Sequence, residues 1–153
     1  MLYSKSAEYG IQAMIYLAVR QSEDPVLISE IAEAYNIPQP FLAKIVQTLV
    51  KFNLLKAVRG RHGGIMLAKD PHEIHVQHII EAIDGPEPDE DICVIGLDPC
   101  SSSQPCPFHN KWTRIRSEIS YMLNSEDLAD LAKKVQIKHE NMMREKKSSQ
   151  TVS

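Results

Sequence analysis

Three cysteines and one histidine stand close together in the pattern Cys93-x6-Cys100-x5-Cys106-x2-His109, and the chain holds no other cysteine. An odd number of thiols cannot pair completely within one chain, and thiolate with imidazole is a ligand set that soft or borderline transition metals prefer. The segment around them, Pro86 to about Pro107, is rich in Pro, Ser, Asp and Gly and keeps no helix or strand period that would bury three ordinary thiols. A metal or iron–sulfur centre is therefore the leading chemistry. A Cys3His set also satisfies tetrahedral zinc, although the usual short C-x2-4-C knuckle is missing, and thiol redox chemistry is a further alternative.

The elements that must carry this loop come from periodicity. In SAEYGIQAMIYLAVRQ, Ile11, Met14, Ile15 and Ala18 fall on one helical face over 6–21. After Asp24-Pro25, Ser29 is placed to cap a short helix over Glu30–Tyr35, and Asn36 tolerates the left-handed backbone that ends it. Pro38 and Pro40 suit the first turn of a following helix with Leu42, Ile45, Val46 and Leu49 as its buried stripe. Two helices across so short a turn make a helix-turn-helix, whose outward positions here are Gln39, Ala43, Lys44 and Gln47.

Beyond Asn53, LLKAVRGRHGGIMLAKD has the apolar run, glycine-rich turn and second apolar run of a β-hairpin. Such a wing puts Arg59, Arg61, His62 and Gly63 at or near a projecting tip. Val76, Ile79, Ile80 and Ile83 predict a short helix stopped at Asp84-Gly85. Past the cysteine loop, Trp112, Ile115, Ile119, Met122 and Leu123 recur at the spacing of a long helix suited to dimerisation. Ser125, with Glu126 and Asp127, predicts the start of a last helix carrying Leu128, Leu131 and Val135. His72, His75 and His78 straddle a helix start, cannot all face one ion, and read as surface residues.

The fold class expected is mainly α with a small β-hairpin. Its divisions are 1–84, a winged helix-turn-helix DNA-binding unit; 85–110, a ligating loop; 111–137, a dimerisation helix and a C-terminal helix; and 138–153, a polar, disordered tail. The length of 153 residues suits one compact domain. Net charge is only −3, but the charges are sorted: Phe41 to Lys69 holds six basic residues and no acid, and Asp70 to Asp98 holds nine acids and no Lys or Arg. One face can attract phosphate while another repels it. Nothing approaches the roughly 20 apolar residues of a membrane span or the layout of an export signal, so a cytoplasmic location is expected. No base–nucleophile pair, small-molecule substrate site or cofactor fingerprint points to an enzyme.

Taken in order, YSKSAEYGIQAMIYLA, ISEIAEAYNIPQPFLAKIVQTL, VRGRHGGIML, IIEAIDG and the three-cysteine loop running into FHNKW resemble the IscR- and NsrR-type iron–sulfur transcription regulators of bacteria, the Rrf-two superfamily, over about residues 1 to 135. The resemblance implies a homodimeric winged helix-turn-helix regulator whose affinity for double-stranded operator DNA depends on a cluster. It implies that Arg59 reaches the minor groove and that Gln39, Pro40, Ala43 and Lys44 lie over the major groove. His109, three residues after Cys106, matches the Cys3His arrangement on a [2Fe-2S] cluster, which is favoured over [4Fe-4S]. The NsrR-like arrangement would instead bring Glu8 from the other subunit as fourth ligand to a [4Fe-4S] cluster. Two departures stand out: Ala43 occupies a position where IscR-like members carry a discriminating acid, and the first cysteine gap holds six residues where those members carry five.

Overall fold

The computed structural model describes residues 2–88 and 92–151. Helix α1, Lys5–Arg20, opens where the Ser4 hydroxyl accepts the Ala7 N–H at 3.0 Å, and closes at Gln21 in the left-handed region with φ 47°. Its buried residues are Ala7, Gly10, Ala13, Met14, Leu17 and Ala18. The expected stripe is thus turned toward smaller residues, with Ile11 and Ile15 only half-buried. The reason is crowding, because α1 is central and packs against three other helices. A Cβ on Gly10 would lie 2.3 Å from Ile83 Cδ1.

Helix α2 spans Ile28–Ala34 and α3 spans Gln39–Lys51. The expected Ser29 cap is not used: α2 starts two residues earlier, from Leu27, with no side-chain cap. The cause lies upstream, where Val26 exchanges both backbone hydrogen bonds with Ile65, at 3.0 and 2.8 Å, and so fixes where the chain turns. Asn36 takes φ 53° in the turn between the helices, as its type suggests. Pro38 caps α3, Pro40 sits in its first turn, and Leu42, Ile45, Val46 and Leu49 are all buried, as their spacing predicts.

Strands β1, Leu55–Val58, and β2, Gly64–Leu67, pair antiparallel with Leu55 opposite Leu67 and Val58 opposite Gly64. Two glycines make this wing possible. A Cβ on Gly63 would stand 2.3 Å from the Val58 carbonyl oxygen, and one on Gly64 2.4 Å from that of Val26. Backbone occupies both places, so no side chain can be accommodated without moving the hairpin.

A single 3-10 turn, Pro71–Glu73, leads to α4, Val76–Asp84, which ends at Gly85 with φ 93° as expected. Asp84 then reaches back to α1, accepting the Ser4 N–H at 2.8 Å and the Ser4 hydroxyl. The long helix α5 covers His109–Ser125 and α6 covers Leu128–Gln150. Ser125 does not cap α6; it stays in α5 with its hydroxyl donating to the Met122 carbonyl at 3.0 Å, and Asp127 accepts the Asp130 N–H at 2.8 Å instead. The histidines are more than surface residues. His72 Nδ1 lies 3.1 Å from Asp127 Oδ2 and His75 Nδ1 3.0 Å from the Glu126 carbonyl, so they fasten the start of α4 to the start of α6.

The expectation of a disordered tail is corrected over 138–150, which is helical. Lys, Glu, Met, Arg and Gln are good helix formers, and neither Gly nor Pro interrupts them. Val152 and Ser153 lie outside the described residues. Met14, Ile31, Leu42, Leu49, Leu55, Ile74, Ile79 and Leu128 are the largest fully buried side chains and make one core that joins the helix-turn-helix, the root of the wing and the start of α6.

Candidate metal centre and nucleic-acid interface

The cysteine loop has no long regular element, yet it is shaped by tight turns. Gly96, with φ 75°, closes one of them by donating its N–H to the Cys93 carbonyl at 3.0 Å. Asp98 Oδ1 accepts the Cys93 N–H at 2.7 Å across the same turn. Ser101 and Gln104 exchange backbone hydrogen bonds in a second turn, and the His109 N–H donates to the Cys106 carbonyl at 3.1 Å as α5 begins.

These turns bring the three thiols within 4.8 Å of one another. Cys93 and Cys100 are buried, Cys106 is half-buried, and all three are free. His109 Nδ1 lies 3.2 Å from Cys100 Sγ. The Cys93 thiol is held below its ordinary pKa: burial opposes this but is outweighed by the backbone hydrogen bonds of Ile95 and Leu97 and by the other two thiols. Cys100 is pushed up: a backbone hydrogen bond from Cys106 opposes the shift, and burial with the neighbouring thiols exceeds it. Three sulfurs in so small a space, with backbone N–H groups directed at Cys93 and Cys100, form a site suited to thiolate ligation.

The donor set passes a chemical test. Tetrahedral coordination at a metal–sulfur distance of roughly 2.3 Å separates sulfurs by about 3.8 Å, within the span observed here, and the His109 imidazole stands beside one of the three sulfurs. The thiols and His109 line a cleft of about 420 Å³ that is polar on the α5 side, where Thr113, Arg116, Ser117 and Ser120 line it, with Trp112 as its aromatic wall. Of the expected ligands, Cys93, Cys100 and Cys106 converge, and His109 lies against Cys100. Glu8 is not among the residues lining the cleft of its own chain; on α1 its carboxylate pairs with Lys5 Nζ at 2.7 Å.

Arg116 is a feature that the sequence did not single out. Its guanidinium donates to the Pro88 carbonyl and lies 3.7 Å from Glu87 Oε1, so it ties α5 to the segment between α4 and the thiols. One of two arginines in a polar helix carries no sequence signal of such a role.

The expected DNA-contacting residues gather on one side. Gln39, Pro40 and Lys44 are exposed on α3, and Ala43 is half-buried beside them. Arg59, Arg61 and His62 are exposed at the tip of the wing. A groove lined by Gln39, Ala43 and Gln47 on α3 and by Ala57, Val58 and Gly64 on the hairpin joins the two sets. Gly63 is half-buried, and the contact of its Cβ position with the backbone is reason enough for its identity.

A helix-turn-helix followed by a two-stranded wing, with basic side chains at its tip, is the architecture of a DNA-binding transcription regulator. The chain belongs to the Rrf2 family: that family's sequence profile, described as "Iron-dependent Transcriptional regulator", matches residues 3–134. The HTH-type transcriptional regulator CymR of Bacillus subtilis is 30% identical over 86% of this chain and 90% of its own length. The regulator IscR of Serratia proteamaculans is 33% identical over 86% and 79%. Among solved structures, CymR, titled the global cysteine regulator of B. subtilis, superposes with TM-score 0.72 at 31% identity, covering 85% of this chain and 95% of that one. IscR of T. potens superposes with TM-score 0.68 at 32% identity, covering 86% of each. These relatives are transcription regulators, and this chain is a regulator and not an enzyme. Among the described residues no helix is long and apolar enough to cross a membrane.

Proposed function

We propose that the protein is a homodimeric regulator whose affinity for palindromic operator DNA is set by an iron–sulfur cluster held by Cys93, Cys100 and Cys106 with His109. The observation that carries this reading is the convergence of three thiols within 4.8 Å, with the imidazole nitrogen 3.2 Å from one of them. The family profile's description as iron-dependent supports iron over other metals, and the resemblance of the cysteines and His109 to a Cys3His arrangement favours the [2Fe-2S] form over [4Fe-4S]. A bound cluster would supply a centre that responds to iron–sulfur status, oxidants or nitric oxide.

The chain's own residues supply the transmission. Ligation fixes the loop from Cys93 to Cys106 against the first turn of α5, through His109. Arg116 holds the same helix to Glu87 and Pro88, and Asp84, three residues before Glu87, holds the N-terminus of α1 through Ser4. Release of the thiols frees the loop at one end of this chain of contacts and alters how α5 sits on the DNA-binding unit. In a dimer joined through Ile115, Ile119 and Met122 of α5, that alters the spacing of two recognition helices on successive major grooves. A coupling of about 1–3 kcal/mol changes affinity 5- to 150-fold.

A second reading, zinc or direct thiol oxidation at the same residues, is favoured by the closeness of the sulfurs, which suits a single tetrahedral ion without rearrangement. The deciding experiment is anaerobic purification followed by iron, acid-labile sulfide and zinc analysis with a visible spectrum. Equal iron and sulfide with charge-transfer absorption is expected, about two irons per chain for [2Fe-2S] and about four for [4Fe-4S]. Colourless protein holding zinc alone, or no metal, overturns the cluster reading.

A further inference from the structure

The side chains that α3 presents to solvent form an unusual set for a recognition helix. Gln39, Pro40, Phe41, Lys44, Gln47 and Lys51 are exposed, and Ala43 is half-buried at the edge nearest the wing. Phe41 stands 61% exposed in the first turn, where nothing in the described chain covers it. The Thr48 hydroxyl is already donated to the Lys44 carbonyl at 3.3 Å. What remains is two amides, two ammonium groups and three apolar side chains, with no carboxylate and no guanidinium.

The major groove offers each base pair a distinct partner set. Guanine is read best by the bidentate fork of arginine, and the cytosine amino group by a carboxylate. Adenine is read by the paired donor and acceptor of glutamine, and the thymine 5-methyl by apolar contact. Gln39 and Gln47, two turns apart on the helix, supply the adenine-reading amides. Pro40, Phe41 and Ala43 supply the methyl-reading surface. Lys44 and Lys51 are flexible point charges, suited to phosphate and able to reach the guanine O6 and N7 with less directional fit than arginine.

We propose that α3 recognises A·T base pairs, with Phe41 on one flank of its exposed face as the residue that distinguishes thymine by packing against its 5-methyl group, and Gln39 on the other flank, toward the wing, as an adenine reader. This rests on the reading of α3 as the helix that enters the major groove. It goes beyond that reading in assigning Phe41, which no resemblance singled out, and in naming the base pair. Wherever Phe41 lies in the groove its ring leaves water, and no cytosine or guanine edge offers an apolar surface equal to a methyl group.

The test is selection by the full chain, purified without oxygen, from a library of randomised 30-base-pair duplexes. The selected duplex is then resynthesised with deoxyuridine in place of thymidine, one position at a time. Enriched half-sites should carry adjacent A·T pairs. At one or two of them, loss of the methyl should weaken binding roughly four-fold per contact. Phe41→Ala should lose that sensitivity at one position, binding the thymidine and deoxyuridine duplexes alike, with its thermal unfolding unchanged. Half-sites dominated by G·C pairs, or uracil substitution without effect at every position, overturn the inference and leave the DNA-binding reading standing. Failure to enrich any duplex overturns both.

Discussion

Helices α1 and α5 are nearly equal in length, 16 and 17 residues, yet α1 has six buried residues and α5 has none. The first is closed in on three sides by other helices. The second leaves Ile115 and Met122 about half exposed and carries the thiol cleft along one flank. The contrast separates two sources of order. Around α1, burial of apolar area holds the fold, and each large buried side chain contributes about 1.5–3 kcal/mol. Around α5, position rests on polar ties such as Arg116 and, in the proposed function, on ligation by the thiols and on a partner subunit over the apolar face. A regulator built this way can vary its second half without risking its first.

That division can be broken most forcefully at Leu49, which is fully buried under α3. Leu49→Ala should lower the stability of the DNA-binding unit by about 2–5 kcal/mol in a denaturant titration, while metal bound per folded chain stays unchanged. Loss of metal from the folded variant would show that the two halves are not separable. Next in size is Asp127, which caps α6 where that helix enters the common core; Asp127→Ala should cost about 1 kcal/mol by the same measurement. Cys100→Ala should do the reverse of Leu49→Ala. It should remove the bound metal by elemental analysis and change unfolding of the DNA-binding unit by less than about 1 kcal/mol.

The smallest effect concerns pH. The hydrogen bond and charge of Asp127 raise the pKa of His72, while Asp127 itself is held low, first by the Asp130 N–H and then by His72. The His72 contribution is therefore complete below the ordinary imidazole range and fades as pH rises through the raised value. That of Asp127 is complete above the ordinary carboxylate range and is lost as pH falls through its depressed value. Between the two, both partners are charged and the tie from the α4 approach to α6 is strongest. In a histidine NMR titration, His72 should show an elevated pKa that returns to the ordinary range in Asp127→Ala. An unchanged value in that variant would remove the ion pair from the account.

The elements were legible in the sequence wherever one residue type had a single physical use. Pro40 in a first turn, Asn36 with a left-handed backbone, Gly85 at a helix end and the α3 stripe all stand where their chemistry predicts. Errors arose where a distant contact decided a local choice. Ser29 looked like a cap, but Val26 was already committed to Ile65. His72 and His75 looked like surface residues, but their partners Asp127 and Glu126 lie some fifty residues further along the chain. The thiols and His109 could be read as a set because soft donors are few in this chain; Arg116 could not, because arginine has many uses and its partner is a backbone carbonyl. The helix over 138–150 has no core face, so helix-forming composition is its one local sign in the sequence.

The glycines of the wing carry a consequence for how such a protein can change over generations. Arg59 and Arg61 are exposed at the hairpin tip and can be exchanged without disturbing the chain beneath them, so on the reading of the wing as a DNA contact a lineage would be free to retune its grip there. Gly63 and Gly64 sit against the carbonyls of Val58 and Val26, and every other amino acid at either position collides with backbone. Freedom and constraint alternate within one turn of chain. Variation observed at 59 and 61 would record adaptation to new operators, whereas invariance at 63 and 64 would record only the cost of threading the hairpin and should not be mistaken for a sign of contact with DNA.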